Sequence, residues 1–280
     1  MRKKGNLDLE EGEEMKEKPG YRTIAYKRQP PVAAITLNRP KVLNAINGEM
    51  LQELQDVIRK IDADKKVVVV VIDSSTERAF STGTDVFFVK DFSVWEGRKV
   101  AKLLHETFWA IRTLEKPVIA AIDGYCLGAG LELAISCDIL VATDRSQFGL
   151  PNIKVGIPSI VEAAILPHAI GIFGVKELCF TGEFWSAQKA ERRGLLNSVV
   201  PPKELKKEIQ RWVNVLAGKS PLALATQKDV INKWMTTDLE TAIDFSINTV
   251  TINYSTTDQK EGTDTFLEKQ KPKFWATREE

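Results

Sequence analysis

Three pieces of this sequence carry residue types that could do chemistry together: Gly83-Thr84, Gly128-Ala129-Gly130, and Glu132, the lone acid in the apolar run after them. Small residues let a backbone approach a ligand closely, and the first turn of a helix offers N–H groups with no partner inside the helix. A helix starting near Ala129 aims those donors, and its positive dipole end, at any developing anion. Side chains on a helix lean toward its N-terminus, which brings Glu132 back to the same spot. Both loops follow β-branched strands. In a parallel sheet such loops emerge on one edge, where ligands bind. Together they could supply two N–H donors to one carbonyl oxygen, an oxyanion hole worth about 3–4 kcal/mol per donor once the oxygen is anionic. The same residues also read as two ordinary glycine turns with a helix-starting glutamate. There is no G-x-G-x-x-G, no Walker A loop and no G-x-S-x-G elbow to settle the choice.

The elements that must position these residues follow from periodicity and punctuation. Stretches 21–26 and 32–37 flank Gln29-Pro30-Pro31 and read as a hairpin-like strand pair. Asn47 can cap a helix to about Ala63, with Met50, Leu51, Leu54, Val57, Ile58 and Ile61 at helical spacing. The β-branched run 67–72 predicts a strand buried on both faces. A helix over 95–114, a strand over 118–122, the focal turn and helix, and a strand over 138–142 come next. Ser159 and Glu162 have capping-box spacing for a helix interrupted near Pro167. Ser186 caps another helix, ending at Gly194, before a strand at 196–200. Helices over 203–217, 221–235, 238–254 and 258–269 form a C-terminal helical region, 201–280, beside a core at 21–200. No fixed sequence period repeats.

Composition bounds the function classes. Of the 280 residues 43% are hydrophobic, ample for a sizeable core. A formal net charge of +1 gives no global field favouring nucleic acid or an anionic membrane. No apolar run reads as long enough to span a bilayer. Residues 1–20 mix Lys and Arg with many Glu, which suits a mobile charged tail rather than a signal or transit peptide. Cys126, Cys137 and Cys179 sit in apolar surroundings without metal-ligand spacing, as expected of reduced thiols in a cytoplasmic protein that binds no metal.

The combination of motifs resembles the crotonase (enoyl-CoA hydratase/isomerase) superfamily. The matching pieces are Ile35-Thr36-Leu37-Asn38-Arg39-Pro40 with Leu43-Asn44-Ala45, Ala79-Phe80-Ser81-Thr82-Gly83-Thr84-Asp85, the run from Lys116 to Gly124, and Gly128-Ala129-Gly130-Leu131-Glu132. Cys137-Asp138-Ile139, Phe148-Gly149, Gly156-Ile157-Pro158 and Glu261-Gly262 with Phe266-Leu267-Glu268-Lys269 complete a resemblance over about residues 21–274. It implies an α/β fold, a crotonase-like spiral of ββα units with a C-terminal helical trimerisation layer, assembled as a homotrimer or hexamer. It implies a coenzyme A thioester as substrate with no separate cofactor, its enolate oxygen held by the N–H groups of Thr84 and Ala129. By the same resemblance Thr82, Thr84, Asp85, Val86 and Ala129 line the substrate path, and Phe266 and Lys269 reach its nucleotide end.

One departure matters. In the hydratase pattern two glutamates hold the catalytic water; Glu132 occupies the first position, but Asn152 follows Pro151 where the second belongs. An amide cannot act as a general base near neutral pH. With Glu132 as the single acid/base and Asn152 orienting water or substrate, isomerisation or an unusual hydration fits better than ordinary hydration. Decarboxylation of a malonyl-type thioester needs only enolate stabilisation and stays open. Glu162 could substitute for the missing acid, though the capping box explains it. His105 and His168 read as surface or core histidines. A binding relative that has lost the chemistry is a further alternative; RNA is not expected, since the helix after Asn47 carries Glu53, Asp56, Arg59, Lys60 and Asp62, a mixed solvated face.

Overall fold

The computed structural model describes residues 20–274, so the expectation for the N-terminal charged tail falls outside the described residues. Strands β1 (Ile24–Gln29) and β2 (Val32–Leu37) form the expected antiparallel pair. The Asn47 side chain accepts the Met50 N–H at 3.0 Å and starts α1 (Gly48–Ala63), whose six predicted apolar positions are all buried. Then follow β3 (Val69–Ser74), β4 (Ala79–Ser81), the single-turn α2 (Val86–Val89) and α3 (Val94–Thr113), which Ser93 and Glu96 begin with a reciprocal capping box. Next come β5 (Val118–Ile122), β6 (Tyr125–Leu127), α4 (Ala129–Ile135), β7 (Ile139–Thr143), β8 (Gln147–Gly149) and α5 (Leu166–Thr181). The chain continues through β9 (Trp185–Ser186), α6 (Ala187–Arg192), β10 (Ser198–Val200), α7 (Leu205–Ala217), α8 (Pro221–Trp234), α9 (Leu239–Asn253) and α10 (Thr257–Leu267).

The strands divide between two sheets. One runs β1-β2-β3-β5-β7-β10, parallel from β2 onward; the other runs β4-β6-β8-β9. Three successive ββ pairs, β3-β4, β5-β6 and β7-β8, each send their first strand to the larger sheet and their second to the smaller, before the chain turns into helix. This is the spiral of ββα units. The strands of the larger sheet were read in the sequence at 21–26, 32–37, 67–72, 118–122, 138–142 and 196–200. Those of the smaller sheet are two or three residues long, too short for any period to show.

The larger sheet is buried on both faces. On one side Ile35, Val70, Ile72 and Ala120 belong to the main core with α1, α3 and α4; on the other, Val69, Val71, Ile119 and Val141 pack against Ile209, Val213 and Ala217 of α7. From α8, Lys228 enters this core: its Nζ donates to the carbonyls of Ile111 and Lys116, each at 3.1 Å, and lies 2.7 Å from Asp138.

Two expectations fail within residues 159–181. Ser159 caps nothing: a 3₁₀ turn (Glu162–Ile165) starts at Val161 with no side-chain cap, and Glu162 is buried. The stretch Glu162–Thr181 is also long and apolar enough for a membrane crossing, contrary to the sequence reading. In the fold it is broken at Gly171 (φ 69°, ψ 160°), and Leu166, Ile170 and Leu178 pack into the core.

Candidate active site

The loop after β4 is held from below by the Leu43–Ile46 segment. Asn44 is fully buried; its side chain accepts the Arg39 N–H at 2.8 Å and donates to Ser74 Oγ at 2.8 Å and the Phe80 carbonyl at 3.1 Å. Ser81 Oγ donates to the Asn44 carbonyl. The Ile46 N–H donates to the Gly83 carbonyl and the Asp85 N–H to the Ile46 carbonyl, at 2.7 and 2.8 Å, so this short pairing passes over the N–H of Thr84.

The second loop meets the first edge to edge. A Cβ added at Gly83 would stand 3.3 Å from the Ala129 nitrogen and 3.4 Å from the Gly128 Cα. Gly130 has no room for a side chain either, since its Cβ would lie 2.6 Å from the Ser81 carbonyl oxygen. Gly128 takes φ 52° and ψ −127°, a conformation open to glycine, and turns the chain into α4. Ala129 is the first helical residue, and its N–H has no partner within the helix. Among the described residues the N–H groups of Thr84 and Ala129 have no partner, and the two flank one junction. Asn152 belongs to the same junction: its Oδ1 would be 3.2 Å from a Cβ on Gly128.

Glu132 lies in the first turn of α4 and is 3% exposed. Its Oε1 accepts the Ala163 N–H at 3.3 Å. Burial pushes its pKa up to about 7; the backbone N–H groups of Ala163 and Val161 oppose the rise, and the nearby Glu162 charge adds to it. A place in the first turn of a helix favours ionisation, but α4 has only seven residues and desolvation outweighs its dipole. The result is a carboxyl poised between acid and base at neutral pH.

The sequence offered Glu162 as a substitute acid but read it as a capping residue, and it gave no sign of the pairing with His105. His105 on α3 places Nδ1 2.7 Å from Glu162 Oε1, while Glu162 Oε2 is buried with no partner among the described residues. Burial raises the Glu162 pKa and the His105 contact works against the rise. The two residues are 57 positions apart on elements whose packing no local pattern reveals. His168 is exposed, as read.

The remaining expected site residues divide. Thr82 is tied to the Leu43 carbonyl through both N–H and hydroxyl. The Asp85 carboxylate is occupied by Arg39 at 2.9 Å and by the Phe87 N–H at 3.1 Å, so it shapes the loop. Val86 is 61% exposed beside the loop. Phe266 borders a separate cavity of about 450 Å³ with Leu222, Asn253 and Phe274, and Lys269 is exposed just past α10. Neither is part of the Thr84–Ala129–Glu132 group within one chain. Among the described residues no group of three His, Cys, Asp or Glu is placed to hold a metal ion.

The model of the enoyl-CoA hydratase/isomerase family matches residues 27–277. The chain belongs to that family. A short-chain-enoyl-CoA hydratase of Clostridium acetobutylicum is 37% identical over 249 residues, 89% of this chain and 95% of the relative. A crotonyl-CoA hydratase of Syntrophomonas wolfei is 35% identical over 91% of this chain and 98% of the relative. Among solved structures, an enoyl-CoA hydratase from Bacillus anthracis superposes with a TM-score of 0.87 at 30% identity, covering 90% of this chain and 99% of that one. As a family member the chain is an enzyme of the crotonase fold, and its two-sheet spiral is the family's architecture.

Proposed function

We propose that this enzyme hydrates or isomerises a short enoyl-CoA thioester, with the N–H groups of Thr84 and Ala129 on the thioester oxygen and Glu132 moving a proton at the reacting carbons. The observation that carries this reading is the convergence of two otherwise unused N–H donors beside a buried carboxyl of near-neutral pKa. Donors fixed in advance stabilise the enolate oxygen without reorganising, and each contributes about 3–4 kcal/mol. Water exclusion around Glu132 strengthens both effects. The relatives named as short-chain-enoyl-CoA and crotonyl-CoA hydratases support a short acyl chain. The Asn152 amide, lying over Gly128, orients water or substrate and cannot itself accept a proton.

The test is incubation with a panel of enoyl-, 3-hydroxyacyl- and malonyl-CoA thioesters, read by mass spectrometry after chromatographic separation of the double-bond isomers. Gain of one water by crotonyl-CoA, or migration of its double bond in a 3-enoyl analogue, is the expected result. Turnover of malonyl-CoA alone would replace this reading with decarboxylation.

A further inference from the structure

Glu162 has no structural task that accounts for its burial. It is 5% exposed, caps no helix, and one of its oxygens lacks a partner among the described residues. A buried unpaired carboxylate oxygen is costly, and apolar side chains of similar size avoid that cost. The 3₁₀ turn that carries it presents the next residue's N–H, that of Ala163, to Glu132 Oε1 at 3.3 Å, and the Glu162 charge acts on Glu132. From the opposite element, α3, His105 holds the other Glu162 oxygen at 2.7 Å.

We propose that Glu162, held by His105, is the second carboxylate of the reacting centre: it takes the proton of the attacking water while Glu132 exchanges a proton with the α-carbon. This rests on the acyl-CoA reading above. In hydration the water oxygen bonds to the β-carbon and its proton passes to the Glu162 carboxylate. The π electrons of the enoyl group move toward the α-carbon and the thioester oxygen, where the Thr84 and Ala129 N–H groups hold them. The α-carbon then takes a proton from the Glu132 carboxyl. The proton gained by Glu162 returns to Glu132 through solvent, which restores both groups. The environments of the two acids suit these roles. Burial raises both carboxyls, but only Glu162 has an imidazole against it that works toward the charged form, whereas Glu132 meets the backbone N–H groups of Ala163 and Val161 and the Glu162 charge. The charged and titratable groups facing this pair are His105 and Arg112 on the Glu162 side and Cys179 on the Glu132 side. The second acid that Asn152 removes from its usual place is thus supplied ten residues later.

The experiment separates two reactions of the full-length enzyme. Hydration of crotonyl-CoA needs both carboxyls; exchange of the α-protons of butyryl-CoA in D₂O needs only Glu132 and the two N–H donors. Glu162→Gln is expected to lower hydration by roughly 10²–10⁴-fold and to leave butyryl-CoA exchange within a few-fold of the unsubstituted enzyme. Glu132→Gln loses both. His105→Asn, at a half-exposed helix position that tolerates change, is expected to lower hydration about 10-fold and to move the acid limb of its pH profile upward, because Glu162 loses the group that favours its charge. Hydration at full rate in Glu162→Gln overturns the proposal. So does parallel loss of hydration and exchange in that variant, which would make Glu162 a structural support of Glu132; if the variant does not fold, an unmoved pH profile in His105→Asn overturns it. If the unsubstituted enzyme exchanges no α-proton of any CoA thioester, the failure belongs to the proposed function instead.

Discussion

Replacing Glu132 by Gln should make the protein more stable and far less active, and the stability gain should depend on pH. At ~1.4 kcal/mol per pKa unit, the rise from 4.5 to about 7 corresponds to roughly 3 kcal/mol. The folded carboxyl binds its proton more tightly than the unfolded one. Its contribution therefore favours folding below the unfolded pKa and is lost as pH rises through about 7. Glutamine has the shape of the neutral acid and never ionises, so the variant escapes that loss. Near pH ~4 the two proteins should melt together; near pH ~9 the variant should melt roughly 5–10 °C higher. Removing the Glu132 charge also relieves Glu162, which works in the same direction. Differential scanning calorimetry at one fixed protein concentration measures the difference, since any assembly makes melting concentration-dependent. Enoyl-CoA turnover of the variant should fall by about 10²–10⁴-fold. A melting difference that stays flat between those pH values would refute the claim that burial holds this carboxyl near neutrality.

Three further outcomes follow from the geometry. Ala129→Pro deletes one N–H at the first helical position, where proline is tolerated, so the protein should fold yet lose thioester turnover by about 10²–10³-fold, whereas Thr84→Ala keeps its N–H and should retain most activity in the same kinetic assay. Lys228→Met leaves Asp138 without its cation and should cost about 3–5 kcal/mol in denaturant unfolding. The α9 face bearing Leu239, Ile243, Ile247 and Val250 is exposed in the single chain, and sedimentation should find it covered in a trimer or hexamer; a stable monomer at micromolar concentration would contradict that.

How much of this was legible in the sequence depends on the range of the interaction concerned. The α1 stripe from Met50 to Ile61, the Asn47 cap and the β-branched runs of β3 and β5 are local signals, and each appears in the fold where the pattern placed it. So does the junction of Gly83 with Gly128-Ala129, because a parallel sheet brings successive loops to one edge. The short strands β4, β6 and β8 escaped, since a three-residue strand has no period, so the ββα spiral came from the family resemblance and not from the residue pattern. Ser159 and Glu162 carried a local pattern that tertiary packing overrode: the backbone there turns in 3₁₀ form, and Glu162 goes inward to His105. The protonation of Glu132 escapes a local reading for a related reason. Position on a helix is local and visible, whereas the depth of burial that decides its pKa is not.

The central claim, that the Thr84 and Ala129 N–H groups grip one thioester oxygen, is tested most directly by the carbonyl stretch of bound substrate. Crotonyl-CoA labelled with ¹³C at the thioester carbonyl, bound to Glu132→Gln to prevent turnover, is read by isotope-edited infrared difference spectroscopy. Two N–H donors polarise the bond, so the band should move to lower frequency than in free crotonyl-CoA, and the shift should shrink when Ala129→Pro is added. A bound carbonyl at its free frequency, or a shift indifferent to Ala129→Pro, would contradict the account.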